Sequence, residues 1–197
     1  MKKIFVIALG FIVMKTTSAQ VGTTHFGIKA GVNITDIKVQ NTDNGDSRIG
    51  FHVGGLAHIH LSRQFALQPE LVFSTQGREE SVGGVEYKTN LSYINVPVLG
   101  QYMFGNGFRL QTGPQVGFLL DAENSVNGNE QDAGNAYKSI DFSWAFGASY
   151  LTSLGLGIDA RYNLGLSNIN DLSNTEYKNR VWQIGLFYQF QGHRHKK

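Results

Sequence analysis

The chain has 197 residues, 24 glycines, no cysteine, and only 16% charged residues against 41% hydrophobic ones. That length suits one domain, and the missing thiol excludes a disulfide framework, a thiolate metal site and a cysteine nucleophile. The charge lies well below the roughly 25% of soluble domains, which indicates a surface that largely does not face water.

The first element is a leader. Met1-Lys2-Lys3 is basic, Ile4 to Met14 is apolar, and Thr17-Ser18-Ala19 is a small-residue site before Gln20. This is the order of a cleavable secretory signal over residues 1–19, with cleavage expected at Ala19-Gln20. The apolar run is too short for a membrane-spanning helix, which needs about 20 residues. Loss of Lys2, Lys3 and Lys15 lowers the 17 basic residues to 14, against 15 acidic ones. No nucleic-acid footprint remains.

Residues 20–190 read as strands with period-two alternation. Eight are expected, over His25–Thr35, Gly50–Leu61, Phe65–Gly77, Thr89–Phe104, Phe108–Leu120, Ile140–Tyr150, Leu156–Leu166 and Val181–Phe190. The first shows the pattern: Phe26, Ile28, Ala30, Val32 and Ile34 on one face, and His25, Gly27, Lys29, Gly31 and Asn33 on the other. Thr89–Phe104 is the least regular, with Ile94, Val96, Val98 and Tyr102 set against Tyr93, Asn95, Pro97 and Gln101. Ser62–Gln64, Gly105–Gly107 and Thr152–Gly155 read as tight turns. Asp36–Ile49, Arg78–Lys88, Asp121–Ser139 and Ser167–Arg180 read as long polar loops, and 191–197 as a basic tail. Short turns on one rim and long loops on the other are the pattern of an outer-membrane barrel. No segment after the leader is apolar enough for a spanning helix, and lipid otherwise admits only closed barrels. The expected fold is all-β, a closed eight-stranded antiparallel up-and-down transmembrane barrel.

Volume decides which face points in. An eight-stranded barrel has an interior just wide enough for side chains to fill. The bulky face supplies Phe, Leu, Ile, Trp and Tyr from every strand and overfills it. The other face is mostly Gly, Ala, Ser, Asn and Gln, and it carries the few strand charges: Lys29, Glu70, Arg109, Asp141, Asp159 and Arg161. A buried charge without a partner is costly, so ion pairs are expected among Lys29, Glu70, Arg109, Asp159 and Arg161. Tyr93, Tyr102, Trp144, Tyr150, Tyr162, Trp182 and Tyr188 are candidates for the aromatic girdles at the membrane boundaries.

The site candidates are modest. His52, His58 and His60 share a strand face, and the last two are close enough to chelate a metal; the plainer reading is polar filling of the lumen, and no metal or other cofactor is expected. Asp43-Asn44-Gly45-Asp46 resembles part of a calcium loop without its closing glutamate, and reads as a turn. Asp121, Glu123, Glu130 and Asp132 form an acidic loop cluster, suited to cations, to lipopolysaccharide bridged by divalent ions, or to a basic partner; the plainer reading is a solvated run. Ser143 lies on the lumen face without an evident histidine, and no catalytic set has a distinctive spacing.

The residues Leu67-Gln68-Pro69-Glu70-Leu71 with Ser74-Thr75-Gln76-Gly77 resemble the third strand of the porin-family outer-membrane β-barrel proteins of Bacteroidetes. Tyr93-Ile94-Asn95-Val96-Pro97-Val98-Leu99 resembles their fourth, with Asn95 in place of the usual Glu. Gly113-Pro114 with Gly117 is similar to the fifth, and Ala160-Arg161-Tyr162-Asn163 with Gly165-Leu166-Ser167-Asn168-Ile169 to the seventh. The resemblance spans the chain after the leader, and the family is similar in architecture to small OmpA/OmpX-type barrels. It implies an outer-membrane location and says little about activity. A non-enzymatic, filled barrel that acts through its loops is the first expectation. Its expected surroundings are outer-membrane lipid and lipopolysaccharide, with an extracellular partner at the loops, no nucleic acid, and a monomeric state. A small solute conduit and a soluble periplasmic carrier with its apolar face inward are the alternatives.

Overall fold

A computed structural model describes residues 23–39, 46–172 and 175–190. The leader, the tail and the Asp43-Asn44-Gly45 turn lie outside the described residues.

The strands are β1 (Thr24–Val39), β2 (Asp46–His60), β3 (Phe65–Val82), β4 (Val85–Met103), β5 (Phe108–Val126), β6 (Asn129–Asp132), β7 (Ile140–Leu151), β8 (Leu156–Gly165) and β9 (Tyr177–Gln189). Each pairs antiparallel with its neighbours in the order β4-β3-β2-β1-β9-β8-β7-β5, and β4 pairs with β5 to close the ring. Eight strands therefore make the barrel, with β6 a short extra strand folded back on β5. Closure leaves no sheet edge, which is what a strand structure needs in lipid. No helix among the described residues is long and apolar enough to cross a membrane.

Burial follows the alternation. Phe26 is 63% exposed and Lys29 only 3%. The same holds round the ring: Phe51, Phe142, Trp182 and Leu186 face out, and Gln68, Glu70, Gln111 and Arg161 face in. This overturns the soluble carrier, which requires the opposite orientation. It also corrects Tyr93, which is 1% exposed and points into the barrel, away from any girdle. The other girdle candidates face out or lie at the surface. Around the short-turn rim they join a chain of ring contacts, Phe65–Tyr102 at 5.3 Å, Tyr102–Phe104 at 4.9 Å and Phe104–Phe108 at 5.5 Å. Toward the other rim, Tyr162 packs on Trp182 at 4.8 Å.

The polar segments differ most from expectation. Residues 78–88, expected as a loop, continue the ladder of β3 and β4 until Val82 faces Val85. Only Gly83 and Gly84 form the turn, at φ +60° and +82°, the left-handed pair that a type I′ hairpin demands. Likewise β5 runs on to Val126, and Asn127-Gly128, at φ 49° and 83°, reverse it into β6. Both glycine-bearing pairs are short-range hairpin signals. The barrel wall therefore rises beyond its apolar band as a polar collar.

Candidate functional site

The interior is the place where charge and polarity converge. At mid-height, β1, β3 and β8 bring four charges together. Arg161 donates from Nη1 to Glu70 Oε2 at 3.0 Å and from Nη2 to Glu70 Oε1 at 2.9 Å. Lys29 Nζ lies 3.5 Å from Glu70 Oε2 and 3.1 Å from Asp159 Oδ2. Arg161 also stands 3.7 Å from Asp159 Oδ2. Gln68 Nε2 donates to Glu70 Oε1 at 2.8 Å. The cluster holds two cations and two anions, and no charged side chain in it is more than 3% exposed. In so dry a setting the charges can exist only as a mutually neutralising set.

The structure does not add the other two strand charges to this cluster. Arg109, near the short-turn rim, donates to Gln189 Oε1 at 3.4 Å. Asp141, near the opposite rim, accepts from Ser167 Oγ at 2.6 Å and from Asn179 Nδ2 at 2.8 Å.

Above the charge cluster lies an amide layer that the sequence reading did not single out. Asn33 Nδ2 donates to Ser74 Oγ at 3.0 Å and to the carbonyls of Phe51 and Thr75 at 2.9 Å each. Asn33 Oδ1 accepts from Gln183 Nε2 at 3.2 Å and lies 2.8 Å from His52 Nδ1. Because that oxygen only accepts, the proton of His52 sits on Nδ1. His52 is thus a covering group, packed where Gly31 and Gly185 let β1 and β9 approach closely.

Higher still, an apolar plug of Ile37, Leu91, Tyr93, Ala122, Tyr137 and Ile169 fills the barrel mouth. Tyr137 and Ile169 come from connections that fold inward and bond each other, with Lys138 N donating to Ile169 O at 2.8 Å and Asp171 N to Ala136 O at 3.0 Å. Ile169 sits in a polar stretch, and nothing in its alternation marked it as interior.

The remaining candidates are dispersed. His58 Nδ1 lies 3.3 Å from Gln68 Oε1, and His60 Nδ1 lies 3.2 Å from Thr23 O. Among the described residues no three metal-ligating side chains are grouped to hold an ion. Ser143 Oγ accepts from Gln115 Nε2 at 3.0 Å. Of the acidic cluster, Glu123 faces Asp132 across the β5–β6 hairpin, where Asp121, Glu130 and Asp132 are exposed. On the collar, Lys88 Nζ is 2.9 Å from both Glu79 and Glu86, and Arg78 pairs with Glu80. Beyond the end of β8, Lys178 holds the Glu176 carboxyl below the usual carboxylate range by hydrogen bond and charge.

Comparison with known proteins agrees with the barrel. No curated protein matches the chain. Neisserial surface protein A (NspA) superposes with a TM-score of 0.57 at 13% identity, covering 84% of this chain and 97% of that one. The attachment invasion locus protein Ail of Yersinia pestis superposes with a TM-score of 0.53 at 18% identity, covering 84% and 98%. A second Ail structure, in complex with the heparin analogue sucrose octasulfate, gives 0.52 at 18% identity over 85% and 99%. Identities this low speak to the fold alone. Residues 18–171, well over half the chain, match the family described as the outer membrane protein beta-barrel domain, and the protein belongs to that family of outer-membrane β-barrels.

Proposed function

We propose that this protein is a non-enzymatic outer-membrane barrel, exported by its 1–19 leader, whose lumen is closed by its own side chains and which acts as a monomer through its extracellular end. One observation carries the reading. Glu70, fully buried at mid-lumen, takes bonds from Arg161, Lys29 and Gln68, so the lumen is bridged from β1 through β3 to β8. The apolar plug and the inward-folded connections support it from above. The resemblance to Bacteroidetes porin-family barrels fits this architecture, while the narrow lumen weighs against the conduction that the family label suggests.

Action then falls to the collar and the β5–β6 hairpin. Ail was crystallised with a polyanionic sugar, but three of the cations a polyanion would meet here are already tied to carboxylates. Lys88 is held by Glu79 and Glu86, Arg78 by Glu80 and Lys178 by Glu176. The exposed Asp121, Glu130 and Asp132 favour instead a basic partner, or lipopolysaccharide bridged by divalent ions.

Planar-bilayer recording of the refolded protein tests the closed lumen. No discrete conductance steps are expected. Reproducible single-channel steps from the unmodified chain would establish the solute conduit in its place.

A further inference from the structure

The short-turn end of the lumen holds a buried guanidinium that no carboxylate answers among the described residues. Arg109 is 7% exposed, its bond is to Gln189 Oε1 at 3.4 Å, and it enters no ion pair among the described residues. The acids of the lumen are committed elsewhere. Glu70 and Asp159 are held by Lys29 and Arg161. Asp141 lies far up β7 from Ser149, the cross-strand partner of Arg109, at about 26 Å along the strand.

What surrounds Arg109 is histidine, hydroxyl and carboxamide, with no carboxylate among the described residues. His25 and His60 have ring centroids 5.7 Å apart, and His58 and His60 4.6 Å. His58 Nε2 is buried without a partner. His25, His60, Arg109 and Gln189 line a pocket of about 290 Å³, walled by Leu151 and the Thr152–Gly155 turn, with Phe190 at its edge. A buried charge without a counter-charge is costly, and the planar guanidinium fork matches an oxyanion with two parallel bonds. The Gln189 carboxamide, whose oxygen faces Arg109, supplies a further donor from its nitrogen.

We propose that this pocket binds a small oxyanion of the phosphate class, at the periplasmic mouth of the barrel. Free inorganic phosphate and the phosphate of a periplasmic-leaflet lipid headgroup present the same chemistry to Arg109. The site goes beyond the closed-lumen reading and does not depend on it, so a conductance result leaves it intact.

The experiment uses the full mature chain refolded in maltoside micelles free of phosphate. Inorganic phosphate is titrated while arginine side-chain Nε–Hε resonances and the backbone amide of Gly155, which lines the pocket, are followed by NMR, with chloride at equal ionic strength as control. Saturable movement of the Arg109 resonance and of the Gly155 backbone amide is expected; read at Gly155, binding is at least tenfold weaker in Arg109→Gln, several-fold weaker in Arg109→Lys and Gln189→Ala, and unchanged in Arg180→Gln. A parallel arm uses nanodiscs of phosphatidic acid against nanodiscs of a phosphate-free glycolipid. A response in that arm alone assigns the site to a lipid headgroup, and a response to inorganic phosphate assigns it to the free ion. Should Arg109→Gln fail to fold, the thermal shift of the unmodified chain decides: phosphate, and not chloride, raises its Tm. The proposal is overturned by the lack of saturable binding in both arms, by an equal response to chloride, or by a folded Arg109→Gln that titrates like the parent.

Discussion

Arg161 and Glu70 lie 91 positions apart in the chain, and they meet through two nearly equal bonds of 3.0 and 2.9 Å. The pair joins β8 to β3 across the barrel interior, as a strut between walls that share no ladder. Breaking a buried pair leaves an uncompensated charge, which costs about 3–5 kcal/mol. Arg161→Met and Glu70→Gln are each expected to lose that much in urea unfolding from micelles. The double variant is expected to lose clearly less than the two single losses combined, because it leaves neither charge of the pair stranded. Additive losses would show that the strut is decorative.

The lipid-facing wall gives a second expectation. Ile184 is 44% exposed on the outer face of β9, near mid-height. Arginine there is expected to cost about 2–4 kcal/mol, as a charge at the bilayer midplane does. Arginine at Leu172, which is 74% exposed beyond the barrel strands, is expected to be within ~0.5 kcal/mol of the parent. Reversible unfolding from liposomes compares the two.

The strand faces were legible because period two and side-chain volume agreed along most of the wall, from Phe26 and Lys29 to Trp182 and Gln183, with bulky inward residues such as Tyr93 and Phe187 as the exceptions. The collar was not, because hydropathy stops where lipid stops. Arg78, Glu79 and Glu80 read as loop, yet Glu79 faces Lys88 in the ladder of β3 and β4. Gly83-Gly84 and Asn127-Gly128 were the signals that marked those hairpins. The interior charges were legible as a set but not as a partition. Alternation places Arg109 and Arg161 on one face, and only the axial heights of β5 and β8 decide which of them reaches Glu70.

The plug is expected to behave as a local unit. Ile169 is fully buried, and Ile169→Ala is expected to cost about 2–5 kcal/mol in the packing of the mouth. The amides of Lys138 and Asp171, which bond across the two inward connections, are expected to exchange faster, while those of β1 and β9 keep their protection. Hydrogen exchange resolved by residue reads this directly.

Glycine at the close approach of β1 and β9 gives a fourth expectation. A Cβ on Gly31 would stand 2.3 Å from Ile184 O and 2.7 Å from the His52 ring. Gly31→Ala is expected to cost about 1–3 kcal/mol by overpacking and to lower the folded fraction. Heat-modifiable gel migration measures that fraction.

That close approach also orders events in time. The first and last strands of the barrel are each other's partners, with Gly31 opposite Gly185. The wall therefore cannot be completed while any later strand is still missing. Until β9 arrives, β1 presents an open ladder, which lipid does not tolerate and a soluble escort would have to mask. Closure of the wall is thus a single event, and a fragment lacking β9 has no half-built version of the structure in which to wait.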